Sequence, residues 1–193
     1  MSIYFLIVPS ITCVVCDRLS DAVTKYLGRY PGVLFDNFCH GVIAFIIWLA
    51  ISENIKLETV LQSLLAMAFA IFIDVDHFIQ AKSLSLDKAL NLEKPAAILH
   101  SVLVEIYANL FILVCAKLSF ANKITIFNKK SLPQRVLEKL PVLFFLAWTS
   151  HLSRDAIKKG FLNSYVFQFQ TAPIPYSSYL LLTTLISAIC KFL

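Results

Sequence analysis

Four histidines stand in this chain, at 40, 77, 100 and 151, and three of them have a carboxylate at helical or adjoining spacing. Asp36 and His40 are i, i+4. Asp74 and His77 are i, i+3, with Asp76 adjoining, and His151 and Asp155 are again i, i+4, so each pair shares one helix face. His100 lacks such a partner and is followed by Ser101. Neutral imidazoles and carboxylates together are the donor set that Zn²⁺, Mn²⁺ or Fe²⁺ asks of a protein. An Asp one turn from a His suits a ligand braced by a carboxylate. Such a cation lowers the pKa of a bound water toward about 7, and a carboxylate left uncoordinated serves as general base. The metal-ligating candidates are therefore His40, Asp74, Asp76, His77, His100, His151 and Asp155. Asp74 and Asp155 are the candidate catalytic carboxylates, and zinc is the first choice of ion.

The elements that must position these residues belong to a membrane protein. Of 193 residues, 59% are hydrophobic and only 15% charged, against about 45–50% and about 25% in soluble domains, and the mean hydropathy is +0.76. Four glycines and no alternating ten-residue segments argue against a β-barrel, which leaves helices to satisfy the backbone in lipid. An odd count of five cysteines scattered through apolar segments is no disulfide framework, and the Cys13/Cys16 pair reads as packing. The first run, "IYFLIVPSITCVVC", has no basic residues before its apolar core and reads as a retained helix rather than a signal peptide. A net charge of +5 without a basic stripe interleaved with aromatics gives no nucleic-acid partner. Lysines in loops beside membrane spans account for it.

Six apolar segments follow: 3–16 (continuing to 27), 37–51, 58–80, 96–118, 140–157 and 174–193. A span needs about 20 residues, so the second and fifth are short, and five spans with one partly embedded helix is the alternative count. The expectation is an all-α, multi-pass transmembrane bundle of five to six helices in one domain, 1–193. "GRYPG" (28–32) and "SENIK" (52–56) read as tight links, 81–95 as a short amphipathic stretch, and 119–139 as the most polar and basic loop.

Alternating spans place the polar residues on one membrane face. His40 starts the second segment; Asp74, Asp76 and His77 end the third; His100 starts the fourth; His151 and Asp155 end the fifth; Asp17 and Arg18 end the first. Lys and Arg divide nine to eight between the two faces, which does not set orientation. Arg18, Lys25 and Arg29 after the first helix, with nothing basic before it, point to a cytosolic site. Singly, each residue has a plainer reading: a lone His near a helix end is interfacial, Asp36 caps a helix N-terminus, and "SRDAIKKG" is a solvated helix end whose Lys158 and Lys159 complement the dipole before Gly160. Their common face favours a shared site. A hydrolase acting on a phosphoester or lipid is one outcome. The other is a non-catalytic membrane protein in which Asp–His hydrogen bonds, about 0.6 kcal/mol each, only hold helices together.

Across nearly the whole chain the sequence resembles the transmembrane protein 267 family, multi-pass animal proteins without a settled activity. The resemblance is carried by "DRL" (17–19), "DNFCHGVI" (36–43), "IDVDHF" (73–78), "AKSLSLDKAL" (81–90), "LHS" (99–101), "WTSHLSRDAIKKG" (148–160) and "TAPIPYSSY" (171–179). More remotely, the order of a His, Asp-x-Asp-His, His-Ser and Ser-His-x-x-x-Asp is similar to the bacterial YdjM-type inner-membrane proteins, classed as metal-dependent hydrolases. That resemblance implies metal ligation by His40, Asp74, Asp76, His77, His100, His151 and Asp155. One position departs: the first His of the bacterial His-Arg-Gly-x-x-His-Ser pattern falls at Pro95, in "PAAILHS" (95–101).

Overall fold

A computed structural model describes residues 4–52, 54–92, 98–121, 131–160 and 171–192. The protein is all-α. Its elements are α1 (Tyr4–Leu27), α2 (Arg29–Ile51), α3 (Leu57–Phe72), α4 (Val75–Gln80), α5 (Leu86–Leu90), a 3₁₀ turn at Ile98–His100, α6 (Val102–Ala121), α7 (Leu132–Glu138), α8 (Leu140–Lys159) and α9 (Tyr176–Phe192). The six long helices fall on the six apolar segments. By length and composition, Arg29–Ile51 and the α3–α4 stretch Leu57–Gln80 are each long and apolar enough to cross a membrane.

Helices α1, α3, α8 and α9 gather around α2, and α6 packs on the far side of α8. Small residues let the backbones approach, as at Ala44 of α2, Ala66 and Ala70 of α3 and Ala147 of α8, all fully buried beside Ile43, Ile47, Leu143 and Leu146. Such stripes are what helix association in lipid uses, since hydrocarbon offers no hydrophobic drive between helices. Cys13, Cys16, Cys39 and Cys190 are buried and unbridged in this core, as their apolar surroundings suggest. The outward faces are apolar too: Ile7, Ile11 and Val15 on α1, Leu103, Ile106 and Leu110 on α6, and Leu181, Leu185 and Ile189 on α9 are exposed. Spacing of three to four residues makes each set a stripe along one side of its helix.

Two boundaries differ from the sequence expectation. "GRYPG" is not a five-residue turn: only Gly28, at φ 92°, breaks the chain, a conformation natural to glycine. Helix α2 resumes at Arg29 and accepts Pro31 in its first turn, where a missing N–H costs nothing. The second segment, expected to be short, is thus a 23-residue helix. Asp36 consequently lies inside α2 and caps nothing, and His40 stands mid-helix. The hairpin is tight, because a Cβ on Gly32 would lie 2.2 Å from Thr24 Oγ1 and 3.0 Å from its Cα.

The second difference is at "SRDAIKKG". Arg154 is 3% exposed and not solvated. It donates from Nε to Asp17 Oδ1 at 2.8 Å, from Nη2 to Asp36 Oδ1 at 2.7 Å and from Nη1 to the Asp36 carbonyl at 2.9 Å. Ser20 donates to the same Asp36 oxygen at 2.7 Å, and Tyr176 to Asp17 Oδ2 at 2.8 Å. One guanidinium fork therefore ties α1, α2 and the start of α9 to α8. Lys158, half-exposed and 3.3 Å from Asp36, and Gly160, which ends α8 at φ 73°, do behave as a helix end should.

Removing one partner of a buried ion pair strands the other. Arg154→Met is expected to destabilise the detergent-solubilised protein by about 3 kcal/mol, read as a lower thermal midpoint by tryptophan fluorescence. Gly32→Ala is expected to cost about 1–3 kcal/mol through overpacking in the hairpin. A midpoint unchanged in that variant would show that α1 and α2 are not in contact there.

Candidate metal centre

Helix α3 stops at Phe72 and α4 begins at Val75, so Asp74 sits in the interruption with its side chain free of either helix ladder. Its Oδ1 lies 3.2 Å from His100 Nε2, 3.4 Å from His151 Nε2 and 3.8 Å from His77 Nε2. The Nε2 atoms of His100 and His151 are 3.3 Å apart. Three donor atoms from three elements thus form a triangle with edges of 3.2, 3.3 and 3.4 Å. Donors about 2.0–2.1 Å from a tetrahedral Zn²⁺ are separated by about 3.3–3.4 Å. The residues present fit such an ion.

Each ligand is aimed from behind. His151 is 1% exposed and donates its Nδ1–H to the Ala70 carbonyl at 2.9 Å. That carbonyl belongs to the last turn of α3, whose acceptors lack an intrahelical donor. A carbonyl can only accept, so Nδ1 carries a proton, and Nε2 is turned toward Asp74. His100 Nδ1 lies 3.3 Å from Asp76 Oδ2, which also accepts the Leu99 N–H at 2.7 Å. Trp148 Nε1 donates to the Leu99 carbonyl at 2.6 Å, and Trp148, Ile73 and Leu152 pack over the turn.

All seven sequence-derived residues converge, but not in one role. Asp76 stands on the far nitrogen of His100, with its Oδ2 3.3 Å from Nδ1, and from there it orients that ring. A carboxylate–histidine pair of this kind fixes the tautomer and strengthens the ligand. Asp155 Oδ2 is 3.6 Å from His100 Nε2, and its Oδ1 is 3.4 Å from His40 Nε2. His40 is buried, stacks face to face on His151 with ring centroids 3.8 Å apart, and has Asp36 Oδ2 at 3.9 Å. Burial is graded: His40, Asp76, His100 and His151 are enclosed, whereas Asp74, His77 and Asp155 retain 23%, 26% and 14% side-chain exposure. The cluster therefore opens on the Asp74–His77–Asp155 side. Sequence reading gave Asp36 no place among the ligands and no role to Arg154, although the Asp36–His40 spacing was signal enough for the first.

Comparison with known proteins supports the animal resemblance. Transmembrane protein 267 of Mus musculus is 32% identical over 184 residues, covering 95% of this chain and 78% of its own. That of Xenopus laevis is 29% identical, covering 94% and 77%, and that of Bos taurus 31%, covering 93% and 77%. No family model and no solved structure matches. The bacterial resemblance rests on motif order alone, and Pro95 lies outside the described residues. The relatives are named transmembrane proteins, and the apolar helices of this chain agree: it is a membrane protein. With a relative at 32% identity aligned over 95% of this chain, the chain belongs to the transmembrane protein 267 family.

Proposed function

We propose that this protein is a multi-pass, membrane-embedded, metal-dependent hydrolase of phosphoesters, including those of lipids. The observation that carries the reading is the donor triangle of Asp74, His100 and His151, with edges matching a tetrahedral transition-metal site. Zinc fits best, because two imidazoles and one carboxylate leave a fourth position open. Six spans, α1, α2, α3 with α4, α6, α8 and α9, would form one membrane-embedded domain. Arg18, Lys25 and Arg29 after the first span would place the site on the cytosolic side.

A divalent cation here would act as a Lewis acid on water and on the ester oxygens. The protein's own residues supply the rest. Asp155, partly exposed on the open side, takes the proton of the attacking water as general base. The water oxygen bonds to phosphorus, the ester P–O bond breaks, and the proton passes to the departing oxygen. Asp76 and the Ala70 carbonyl hold the two buried imidazoles so that neither must reorganise as charge develops. Half-exposed His77 borders the entry.

A second reading keeps the cluster as packing only, because its contacts already join α2, α3, α4, α8 and the 3₁₀ turn. Metal analysis separates the two. Protein purified in mild detergent is expected to carry zinc at one equivalent or more per chain, lost in His151→Ala. Chelation is expected to lower the thermal midpoint, since a ligand at a thousand times its Kd stabilises by about 4 kcal/mol. Metal-free wild type that ignores chelator would leave packing as the role of the cluster. Asp76→Asn is expected to weaken zinc affinity about 10–100-fold in a competition titration, and to lower hydrolysis of a chromogenic phosphodiester with it.

A further inference from the structure

We infer that the cluster holds two cations side by side, the second bound by His40, Asp155 and Asp36, with Asp155 bridging the pair. The inference rests on the metal-dependent reading above and extends it to residues of α2. The decisive contact is the stack of His40 on His151, with centroids 3.8 Å apart and planes only 18° from parallel. An imidazole lone pair lies in the plane of its ring. Two rings lying face to face therefore direct their lone pairs along nearly parallel planes, which do not meet within a metal–nitrogen bond of about 2.1 Å. His40, Asp74 and His151 do present donor atoms within 4.8 Å of one another, but proximity is not convergence. By contrast, the rings of His100 and His151 stand at 75° to each other and can share an ion. His40 must serve a different one.

A second set of donors surrounds His40. Its Nε2 has Asp155 Oδ1 at 3.4 Å and Asp36 Oδ2 at 3.9 Å, and these three residues offer donor atoms that all lie within 4.8 Å of one another. Asp155 spans both sets, one oxygen toward His40 and the other 3.6 Å from His100 Nε2. A carboxylate disposed in this way bridges ions about 3.5–4 Å apart, the spacing of two-metal hydrolytic sites. With both oxygens on cations Asp155 is then a ligand, and the role of base passes from it to the partly exposed His77 on the open side. Asp36 is turned for the task. Its Oδ1 is held by Arg154, Ser20 and Lys158, which leaves Oδ2 directed at His40. Arg154 is shared with Asp17, and the Lys158 ammonium, at 3.3 Å on a half-exposed side chain, is free to withdraw into solvent when a cation arrives.

The test is metal stoichiometry on the full chain in detergent or nanodiscs, loaded with Mn²⁺ and freed of unbound ion. Wild type is expected to hold two equivalents and give the spectrum of an exchange-coupled pair in electron paramagnetic resonance. His40→Gln is expected to hold one, with the signal of an isolated ion, and Asp36→Asn to weaken the second equivalent selectively. One equivalent in wild type with an uncoupled signal overturns the second site and leaves the hydrolase reading standing. No bound metal in wild type overturns both. If His40→Gln fails to fold, the coupled or uncoupled signal of wild type decides alone.

Discussion

A carboxylate at the end of an apolar helix has to be compensated, and the interruption of α3 at Asp74 is what makes compensation possible. Had α3 continued without a break, the Ala70 carbonyl would already accept an N–H of the next turn and would have only its second lone pair to offer His151. Because the helix stops at Phe72 and restarts at Val75, that carbonyl fixes one imidazole. Asp74 faces two more, and Asp76 is carried round to the Leu99 N–H and the back of His100. One break in one helix thus supplies both a ligand and the two braces that aim its neighbours.

Much of this was legible because the relevant signals are local. Asp36–His40, Asp74–His77 and His151–Asp155 advertise themselves by spacing, and the alternation of spans brings them to one face without any knowledge of packing. What the sequence concealed depends on partners far away along the chain. Residues 17–36 read as the polar margin of two spans, yet they are helical on both sides of Gly28, because α1 and α2 pair through Ser20–Asp36 and Thr24–Gly32 contacts that apolar segment counting does not register. Arg154 looked solvated because its partners, Asp17 and Asp36, lie 137 and 118 residues away. The place of Asp76 behind His100 was not legible either, because spacing tells which face a side chain shares, not which nitrogen of an imidazole it meets.

The two polar clusters answer burial in different ways. Around Arg154 the charges close on themselves: a guanidinium with Asp17 and Asp36, and each carboxylate with a hydroxyl besides. That arrangement holds helices together and is closed at Asp17 and at the Oδ1 of Asp36, leaving only the Asp36 Oδ2 turned toward His40. Around Asp74 the groups are imidazole nitrogens and carboxylate oxygens, with the Nε2 atoms of His100 and His151 turned toward the same carboxylate oxygen and toward each other. Such a set is satisfied by protons on the imidazoles or by a cation placed between its members, and metal content separates the two.

This contrast weighs against a purely adhesive role. An acid within a membrane helix costs about 2.5–3.5 kcal/mol at its centre and less toward its ends, whereas an interhelical hydrogen bond returns about 0.6 kcal/mol on average. For Asp74 and Asp155 to serve only as fasteners, several such bonds would be needed to offset each charge. Apolar or small residues, already used at Ala66, Ala70 and Ala147, would join the same helices at no such cost. Four imidazoles and three acids gathered at one junction, three of the seven open to the outside, make physical sense where a cation removes the charge penalty and the opening admits a substrate.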